Sequence, residues 1–331
     1  MITRAEVERC SAATAFRPEV VEKVLHLVGI LRRLGDHELS ASMWVLKGGT
    51  ALNLFHLPLP RLSVDIDLNF VGTLELEGLA AARSSFERAL ASCCEREGCA
   101  VRRAPGEHAG GKFRLQFASV LGGTQKLEVD VSYVARLPLL GTERRRPVFP
   151  PDADSVVETL TLEELAAGKF AALLSRSAAR DLFDAVSLLE FAPDLAHRPG
   201  FRLAFVCYAA SSRQDFRKVR AEVQLPDRAR IERELMLLLR AGTEAGTPTA
   251  EQLMRRFSET VAPAIREVLG WSPGERRFLE RLLQHGEIEP EHLTDDSELR
   301  RRVSLQPMLR WKQLHVRNHL KLGEEPASYL V

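Results

Sequence analysis

The chain has 331 residues, of which 45% are hydrophobic and 27% are charged, and its formal net charge is +1 at pH 7. This composition is typical of a globular protein with a buried core, and the length is sufficient for two domains. The near-neutral charge excludes a global attraction to nucleic acid, so any such binding must depend on a local patch.

Membrane insertion and secretion are also disfavoured by the sequence. No apolar run approaches the length of a membrane span, and the first residues lack the hydrophobic centre of a signal peptide. The cysteines are odd in number and lack metal-finger spacing, so we expect reduced thiols; they are Cys10, Cys93, Cys94, Cys99 and Cys207. These features predict a cytoplasmic protein.

The N-terminal half alternates between helical and strand-like patterns. Apolar residues recur at helical spacing over residues 18–34, where Pro18 suits a first helical position, and again over residues 77–97. A short strand over residues 42–47 leads into Gly48-Gly49 and a brief helix, which Pro58 and Pro60 end. Residues 62–70 alternate as a half-buried strand does.

Two further strands, over residues 112–120 and 125–134, are joined through Gly122-Gly123, which predicts a β-hairpin. A connector rich in Pro and Arg covers residues 136–155. A capping box at Thr161 and Glu164 then opens the first of several amphipathic helices, which continue to the end of the chain. The predicted fold is α/β (α+β): a small mixed sheet within residues 1–154 and an all-helical domain over residues 155–331.

The strand LSVDIDLNF places Asp65 and Asp67 on one face, about 7 Å apart at their Cα atoms. Like charges this close repel each other, which favours a cation or a proton between them. Asp130 lies on the polar face of the later strand KLEVDVSY. Three strand-borne carboxylates can hold two Mg²⁺ ions for phosphoryl transfer, and the alternative is a solvent-exposed sheet face with scattered acids.

A glycine pair precedes this strand. Gly48-Gly49-Thr50 lies between a predicted strand and a predicted helix, where glycines let the backbone approach a phosphate and the helix N-terminus supplies N–H groups. The same tripeptide recurs at residues 122–124. There it links two strands and is better interpreted as a turn.

These residues carry a resemblance to a known family. LKGGTALNLFHLPLPRLSVDIDL resembles the signature hG[G/S]…Dh[D/E]h of polymerase-β-like nucleotidyltransferases, and is especially similar to GGTAL…R-x-S-x-D-[IL]-D of the AbiEii/MenT toxins. KFAALLSRSAARDLFD resembles that family's second motif, K-x-x-A-L-x-x-R…R-D-x-x-D. QPMLRWKQLHVRNHL resembles its P-x-L-x-W-K ending. The resemblance spans most of the chain.

The resemblance implies a Mg²⁺-dependent nucleotidyltransferase that acts as the toxin of a toxin–antitoxin pair. It would transfer a nucleoside monophosphate from an NTP to the 3′ end of tRNA, and it would have a cognate antitoxin. The expected metal ligands are Asp65, Asp67 and Asp130, with Lys169 and Asp184 as further catalytic residues. The expected nucleotide contacts are Lys47, Gly48, Gly49, Thr50, Arg61, Ser63, Lys169 and Arg176.

Several alternatives stay open. The acceptor could be a small molecule or a protein, or the chain could be a catalytically silent nucleotide-binding module. Arg61 and Ser63 could be phosphate contacts or polar residues at a strand edge. Lys169 and Arg176 share a helix face and could bind a triphosphate, or they could join an ion-pair network with Arg180, Asp181 and Asp184.

The acceptor is expected on the helical half, where cations cluster near Trp311. These cations are Arg310, Lys312, Arg317 and Lys321, which suit an RNA backbone. The alternative is a solvated terminal helix with Trp311 in the core. A second basic loop contains Arg144, Arg145 and Arg146, and a zinc pair at His315 and His319 lacks a third ligand.

Overall fold

The computed structural model describes residues 2–104, 110–221, 225–241 and 248–320. The chain forms two compact units. The first contains Met1–Arg136, Thr142–Leu160 and Arg228–Ala250, and the second contains Leu137–Gly141, Thr161–Asp227 and Glu251–Val331. The main change from one unit to the other falls at residue 160, close to the predicted domain boundary at residue 154, and a later segment of the chain returns to the first unit.

The first unit is built on a mixed sheet of seven strands among the described residues. The strands are β1 (Trp44–Lys47), β2 (Asp65–Phe70), β3 (Ala100–Arg103), β4 (Gly110–Ala118), β5 (Thr124–Ser132), β6 (Thr142–Arg145) and β7 (Val157–Leu160). Their order is β3-β4-β5-β2-β1-β7-β6. β2 pairs in parallel with β5, and β1 pairs in parallel with β7, while the other neighbours are antiparallel.

Helices fill the rest of both units. They are α1 (Arg4–Thr14), α2 (Pro18–Gly35), α3 (Gly48–Ala51), α4 (Leu79–Arg96), α5 (Leu162–Arg176), α6 (Ala179–Phe191), α7 (Pro199–Ser211), α8 (Arg228–Glu234), α9 (Ala250–Val268), α10 (Pro273–Glu280), α11 (Ser297–Leu305) and α12 (Pro307–His319). A single π turn, Leu52–His56, continues α3. No described helix is both long and apolar enough to cross a membrane.

The mixed α/β class and the hairpin are confirmed, but the sequence missed three strands. β4 and β5 are joined through Gly122 and Gly123, which both have positive φ. β6 lies inside the segment that was interpreted as a connector, and β3 and β7 were also not expected. These strands have four residues each. β3 and β6 are edge strands rich in arginine, so neither carries the alternating apolar signal of a half-buried strand.

The core of the first unit lies between α2, α4 and one face of the sheet. The apolar stripe of α2 is buried as expected, and so are the inward side chains of β2 and β5. Glu22 of α2 is fully buried and accepts hydrogen bonds from the Ser119 hydroxyl at 2.6 Å, the Val120 N–H at 2.7 Å and the Gln125 amide at 2.6 Å. This carboxylate fixes the β4–β5 hairpin to the helix.

The core of the second unit contains a chain of aromatic rings. Phe170 meets Phe201 edge-on at 5.5 Å between centroids, and Phe205 stacks on Phe201 at 5.9 Å and on Trp271 at 5.5 Å. These contacts link α5 and α7 with the segment before α10. Among the described residues after Leu160, the regular elements are all helical, as the amphipathic pattern predicted.

Glu164 is held differently from what its sequence motif predicts. The Thr161 hydroxyl accepts the Glu164 N–H at 3.4 Å, which is one half of the predicted capping box. The Glu164 carboxylate is instead buried and accepts the N–H groups of Leu139 at 3.1 Å and Leu140 at 2.9 Å, and the Tyr208 hydroxyl at 3.2 Å. Burial raises the pKa of Glu164 to about 7.

A raised pKa predicts how stability depends on pH. The pKa of Glu164 in the folded state lies above its ordinary value of 4.5. Its contribution to the free energy of unfolding is therefore complete below about pH 4.5 and is lost as the pH rises through 7. The free energy of unfolding of wild type, measured against that of Glu164→Gln, should therefore fall by a few kcal/mol between about pH 5 and about pH 8.

Glu163→Gln is the matched control, since Glu163 is only partly buried on the same helix turn. This variant should keep the wild-type pH dependence. A difference between wild type and Glu164→Gln that does not change with pH would show that Glu164 does not titrate in this range.

Candidate active site

Four carboxylates share one face of the sheet in the first unit. β2 and β5 are neighbours whose register places Asp65 beside Glu128 and Asp67 beside Asp130. Residues paired across strands project to the same face, and the alternate residues of both strands are buried on the other face. The sequence identified three of these acids and missed Glu128. Glu128 could have been found from the same period-two alternation that identified Asp130, which lies two residues later.

Lysines flank these carboxylates on both sides. The register of four adjacent strands aligns Lys112 of β4, Asp130 of β5, Asp67 of β2 and Lys47 of β1. Lys112 Nζ lies 2.7 Å from Glu128 Oε2 and 3.5 Å from Asp130 Oδ2, and the hydrogen bond with Glu128 raises the pKa of Lys112. Burial lowers the pKa of Lys47, while Asp67 and Asp130 act in the opposite direction. The acidic face is thus partly compensated by two amines.

The backbone of Gly48 lies directly against the acidic face. Its φ is +72°, and a Cβ added there would lie 2.8 Å from both Cβ and Cγ of Asp67. Real Cβ atoms do not approach other atoms so closely, and only glycine adopts this φ without strain. The turn between β1 and α3 therefore requires glycine at this position. The predicted glycine loop and the predicted aspartates do lie together.

Thr50 joins the same loop to β2. It is fully buried, and its hydroxyl donates to the Asp65 carbonyl at 2.5 Å. The Asn53 amide donates to the Gly49 carbonyl at 2.9 Å and holds the first turn. Any contact of Thr50 with a nucleotide would therefore come through its backbone N–H.

Arg61 and Ser63 lie in the interior of the first unit. Arg61 is 1% exposed and donates to the Leu62 carbonyl at 2.9 Å, and Ser63 is 5% exposed. The same segment is held by the Leu62 N–H, which donates to the Leu238 carbonyl at 2.9 Å. Both side chains are thus part of the packing before β2, and their contact with a phosphate stays a prediction.

The donor chemistry of the acidic face suits a hard divalent cation. Asp65, Asp67 and Asp130 offer the anionic oxygens that Mg²⁺ prefers, on the rigid support of two adjacent strands. Within the part of the chain that the structure describes, no three His, Cys, Asp or Glu side chains converge closely enough to hold a metal. The predicted ligand set fits Mg²⁺ in chemical type, and a bound cation would have to draw the three carboxylates together in competition with Lys112.

The second unit contains a buried ion cluster built from the second motif. Lys169 Nζ lies 2.7 Å from Asp184 Oδ2 and 3.2 Å from Asp181 Oδ1, and both aspartates are almost fully buried. Arg176 binds Asp181 in bidentate fashion, through Nε at 2.7 Å and Nη2 at 3.1 Å. Burial acts to raise the pKa of Asp181, but the hydrogen bond from Arg176 and the charge of Lys169 hold it below its usual value. The ion-pair network that the sequence left open is therefore present, and a nucleotide contact by Lys169 or Arg176 stays a prediction.

The cations of α12 contact backbone carbonyls of their own unit. Arg310 donates to Ser304 at 3.0 Å, Lys312 to Ser212 at 2.7 Å, and Arg317 to Gly286 at 2.9 Å. Burial lowers the pKa of Lys312. Trp311 stacks on His315 at 5.5 Å between ring centroids and is partly buried. Lys321, the fourth predicted RNA contact, lies outside the described residues.

The second predicted basic segment is a strand end with ion pairs. Arg144 and Arg145 belong to β6, and Arg144 lies 3.6 Å from Glu158 while Arg145 lies 2.6 Å from Glu143. Arg146 pairs with Asp154 at 3.0 Å. RNA binding by these arginines, as by the cations of α12, stays a prediction.

Residues 29–270 match the family described as nucleotidyl transferase AbiEii toxin, type IV TA system. The chain belongs to the AbiEii nucleotidyltransferase toxin family. This membership makes it a nucleotidyltransferase of a type IV toxin–antitoxin system and implies an antitoxin partner. The matched range contains Gly48, Asp67 and Lys169 but not α12.

The fold is similar to that of MenT4, a nucleotidyltransferase toxin from Mycobacterium tuberculosis H37Rv. The two structures superpose with a TM-score of 0.54 at 18% sequence identity, over 94% of this chain and 99% of that one. At this identity the likeness concerns the fold alone. No curated protein matches the sequence closely.

The two Gly-Gly-Thr tripeptides of this AbiEii-family chain provide an internal comparison. Gly123 has a φ of +74°, almost the same as Gly48, but an added Cβ would meet nothing within 4 Å. Gly123→Ala should therefore cost only the left-handed backbone, about 1–2 kcal/mol of unfolding free energy. Gly48→Ala adds the collision with Asp67 and should cost about 3 kcal/mol or more.

Urea unfolding of both variants measures the difference, and nucleotidyl transfer should be lost only in Gly48→Ala. Equal destabilisation of the two variants would mean that Asp67 does not lie against Gly48.

Lys169 should affect both stability and nucleotide binding. Lys169→Met leaves Asp181 and Asp184 without their shared amine in a buried site, so the protein should lose about 3 kcal/mol of stability. Arg176→Gln is the control, with a smaller loss of about 1 kcal/mol, because the Arg176 side chain is 63% exposed.

If Lys169 also binds the triphosphate, the affinity for NTP should fall about tenfold in Lys169→Met. Calorimetric titration with NTP gives this number. An unchanged NTP affinity beside a large loss of stability would restrict Lys169 to its ion pairs.

Proposed function

We propose that this AbiEii-family protein transfers a nucleoside monophosphate from an NTP to an acceptor hydroxyl at the acidic face of β2 and β5. The observation that carries the proposal is the contact between Gly48 and Asp67. It brings the backbone of the glycine loop directly against a carboxylate that shares its face with Asp65 and Asp130. A nucleotidyltransferase needs phosphate-binding N–H groups beside acidic oxygens, and the closeness of the Gly48 backbone to the Asp67 carboxylate supports this assignment.

In the proposed reaction the acceptor hydroxyl attacks the α-phosphorus in line, and the bond to pyrophosphate breaks as the new ester forms. Asp65, Asp67 and Asp130 would hold Mg²⁺, which neutralises charge on the triphosphate when it is bound. The backbone N–H groups of Gly48 and Gly49 bind phosphate oxygens, and Lys47 adds positive charge beside Asp67. Lys169 and Arg176 are proposed as further triphosphate contacts and Asp184 as a further catalytic residue, on the strength of the second motif.

We propose that the acceptor is the 3′ end of tRNA. The protein would then act in the cytoplasm. The support for tRNA is the resemblance to the AbiEii/MenT toxins, whereas the geometry of the acidic face would serve any hydroxyl. Incubation of the protein with labelled NTP and separate fractions of total RNA, protein and small molecules identifies the acceptor. Label in RNA supports the proposal, and label in another fraction, or in none, replaces it with one of the alternatives.

Asp67 is the residue whose loss tests the acidic face most sharply. Asp67→Asn keeps the side-chain shape against Gly48 but removes the charge, and transfer should fall at least about 100-fold. Thermal stability without metal should change little, because the relief of repulsion among the carboxylates is opposed by the loss of the charge that compensates Lys47. Asp36→Asn, at an exposed position after α2, is the control and should transfer normally. Transfer at the wild-type rate by folded Asp67→Asn protein would remove Asp67 from the site.

A further inference from the structure

A row of charged side chains crosses the sheet beside the acidic face. The register of four consecutive strands aligns Arg102 of β3, Arg114 of β4, Glu128 of β5 and Asp65 of β2. Cross-strand partners project to the same side of a sheet. The row thus runs from two arginines, on the edge strand β3 and its neighbour β4, to two carboxylates nearer the centre of the sheet.

The side chain of the next residue shows to which face of the sheet Arg102 projects. Arg103 points to the opposite face, where its Nε lies 2.7 Å from Glu87 of α4. Arg102 therefore faces away from α4, on the side of the carboxylates, and it is exposed. Its side chain makes no hydrogen bond or ion pair with any residue that the structure describes. Arg114 is 64% exposed, and its Nε lies 3.6 Å from Glu128 Oε1.

The pairing of Arg102 with Arg114 is unfavourable for the sheet by itself. Like charges directly opposite each other on adjacent strands destabilise the pair. A third exposed cation, Lys126, lies on the same face, in β5 opposite Gln116 of β4. An anion bound between these side chains would relieve the repulsion, and guanidinium groups bind phosphate oxygens in bidentate fashion.

We propose that Arg102 and Arg114, with Lys126 beside them, bind the sugar–phosphate backbone of an RNA acceptor and direct its end toward the carboxylates. The inference rests on the proposed function, since it names the surface that recognises that acceptor. Three strand spacings separate Arg102 from Asp65, about 14 Å, which is close to the rise of four stacked nucleotides. An RNA end that reaches Asp65 therefore places phosphates of the preceding nucleotides over the two arginines.

This surface differs from α12, where the sequence placed RNA binding. Arg310, Lys312 and Arg317 each donate to a backbone carbonyl of their own unit. Removing such a hydrogen bond to bind a phosphate would leave a carbonyl without its donor. The guanidinium of Arg102 has no such bond to break among the described residues, so its charge is available to a polyanion.

The test is the affinity of the full chain for labelled tRNA across a salt series. Arg102→Gln/Arg114→Gln should weaken binding about tenfold and lower the log–log salt slope by about 1.4, because two phosphates of a single strand are no longer neutralised. Arg102→Lys/Arg114→Lys keeps the charge and should keep the slope. Arg32→Gln/Arg96→Gln removes two other exposed arginines of the same unit and should behave as wild type.

NTP affinity should be unchanged in all variants, and the melting temperature of Arg102→Gln/Arg114→Gln should hold or rise as the repulsion is removed. If wild type and Arg102→Gln/Arg114→Gln bind tRNA with equal affinity and equal salt slope, the inference is overturned. The proposed function is left intact by that result. If wild type itself binds no RNA, the RNA acceptor of the proposed function fails and the inference fails with it.

Discussion

The close approach of the Gly48 backbone to Asp67 is the constraint on which the acidic face depends. A side chain at residue 48 would collide with the carboxylate, and the φ of +72° excludes most other residues without strain. Thr50 and Asn53 then fix the loop, through the carbonyls of Asp65 and Gly49. These hydrogen bonds tie the loop to β2, so the glycine loop and the acidic side chains share one support.

Charge on this sheet is arranged in two parallel rows with opposite consequences. In one, lysines stand at both ends of the pair Asp67 and Asp130, which compensates the acids in the absence of other cations. In the other, Arg102 and Arg114 lie beside each other on β3 and β4, and the carboxylate nearest to Arg114, Glu128, is shared with Lys112. The first row suits a bound cation and a triphosphate, and the second suits a polyanionic acceptor. The second unit carries its own charges as the buried cluster of Lys169, Asp181 and Asp184.

Local patterns in the sequence predicted much of the fold and the core of the candidate site. Period-two alternation located β2 and β5, and the context of the two Gly-Gly-Thr tripeptides separated a loop from a turn. What could not be predicted depends on pairing between distant residues: the register that aligns Arg102 and Arg114 with Asp65, and the burial of Arg61. Short polar strands such as β6 give no periodic signal, and the carboxylate of Glu164 binds a segment more than twenty residues away rather than its own helix cap.

The most direct test of the acidic face is a crystal structure of the protein soaked with Mn²⁺ and a non-hydrolysable NTP. Anomalous scattering locates the metal without reference to any assumed role. The account predicts a peak among the carboxylates of Asp65, Asp67 and Asp130, with the triphosphate against the N–H groups of Gly48 and Gly49. A peak elsewhere, with no density for the nucleotide beside Gly48, would contradict it.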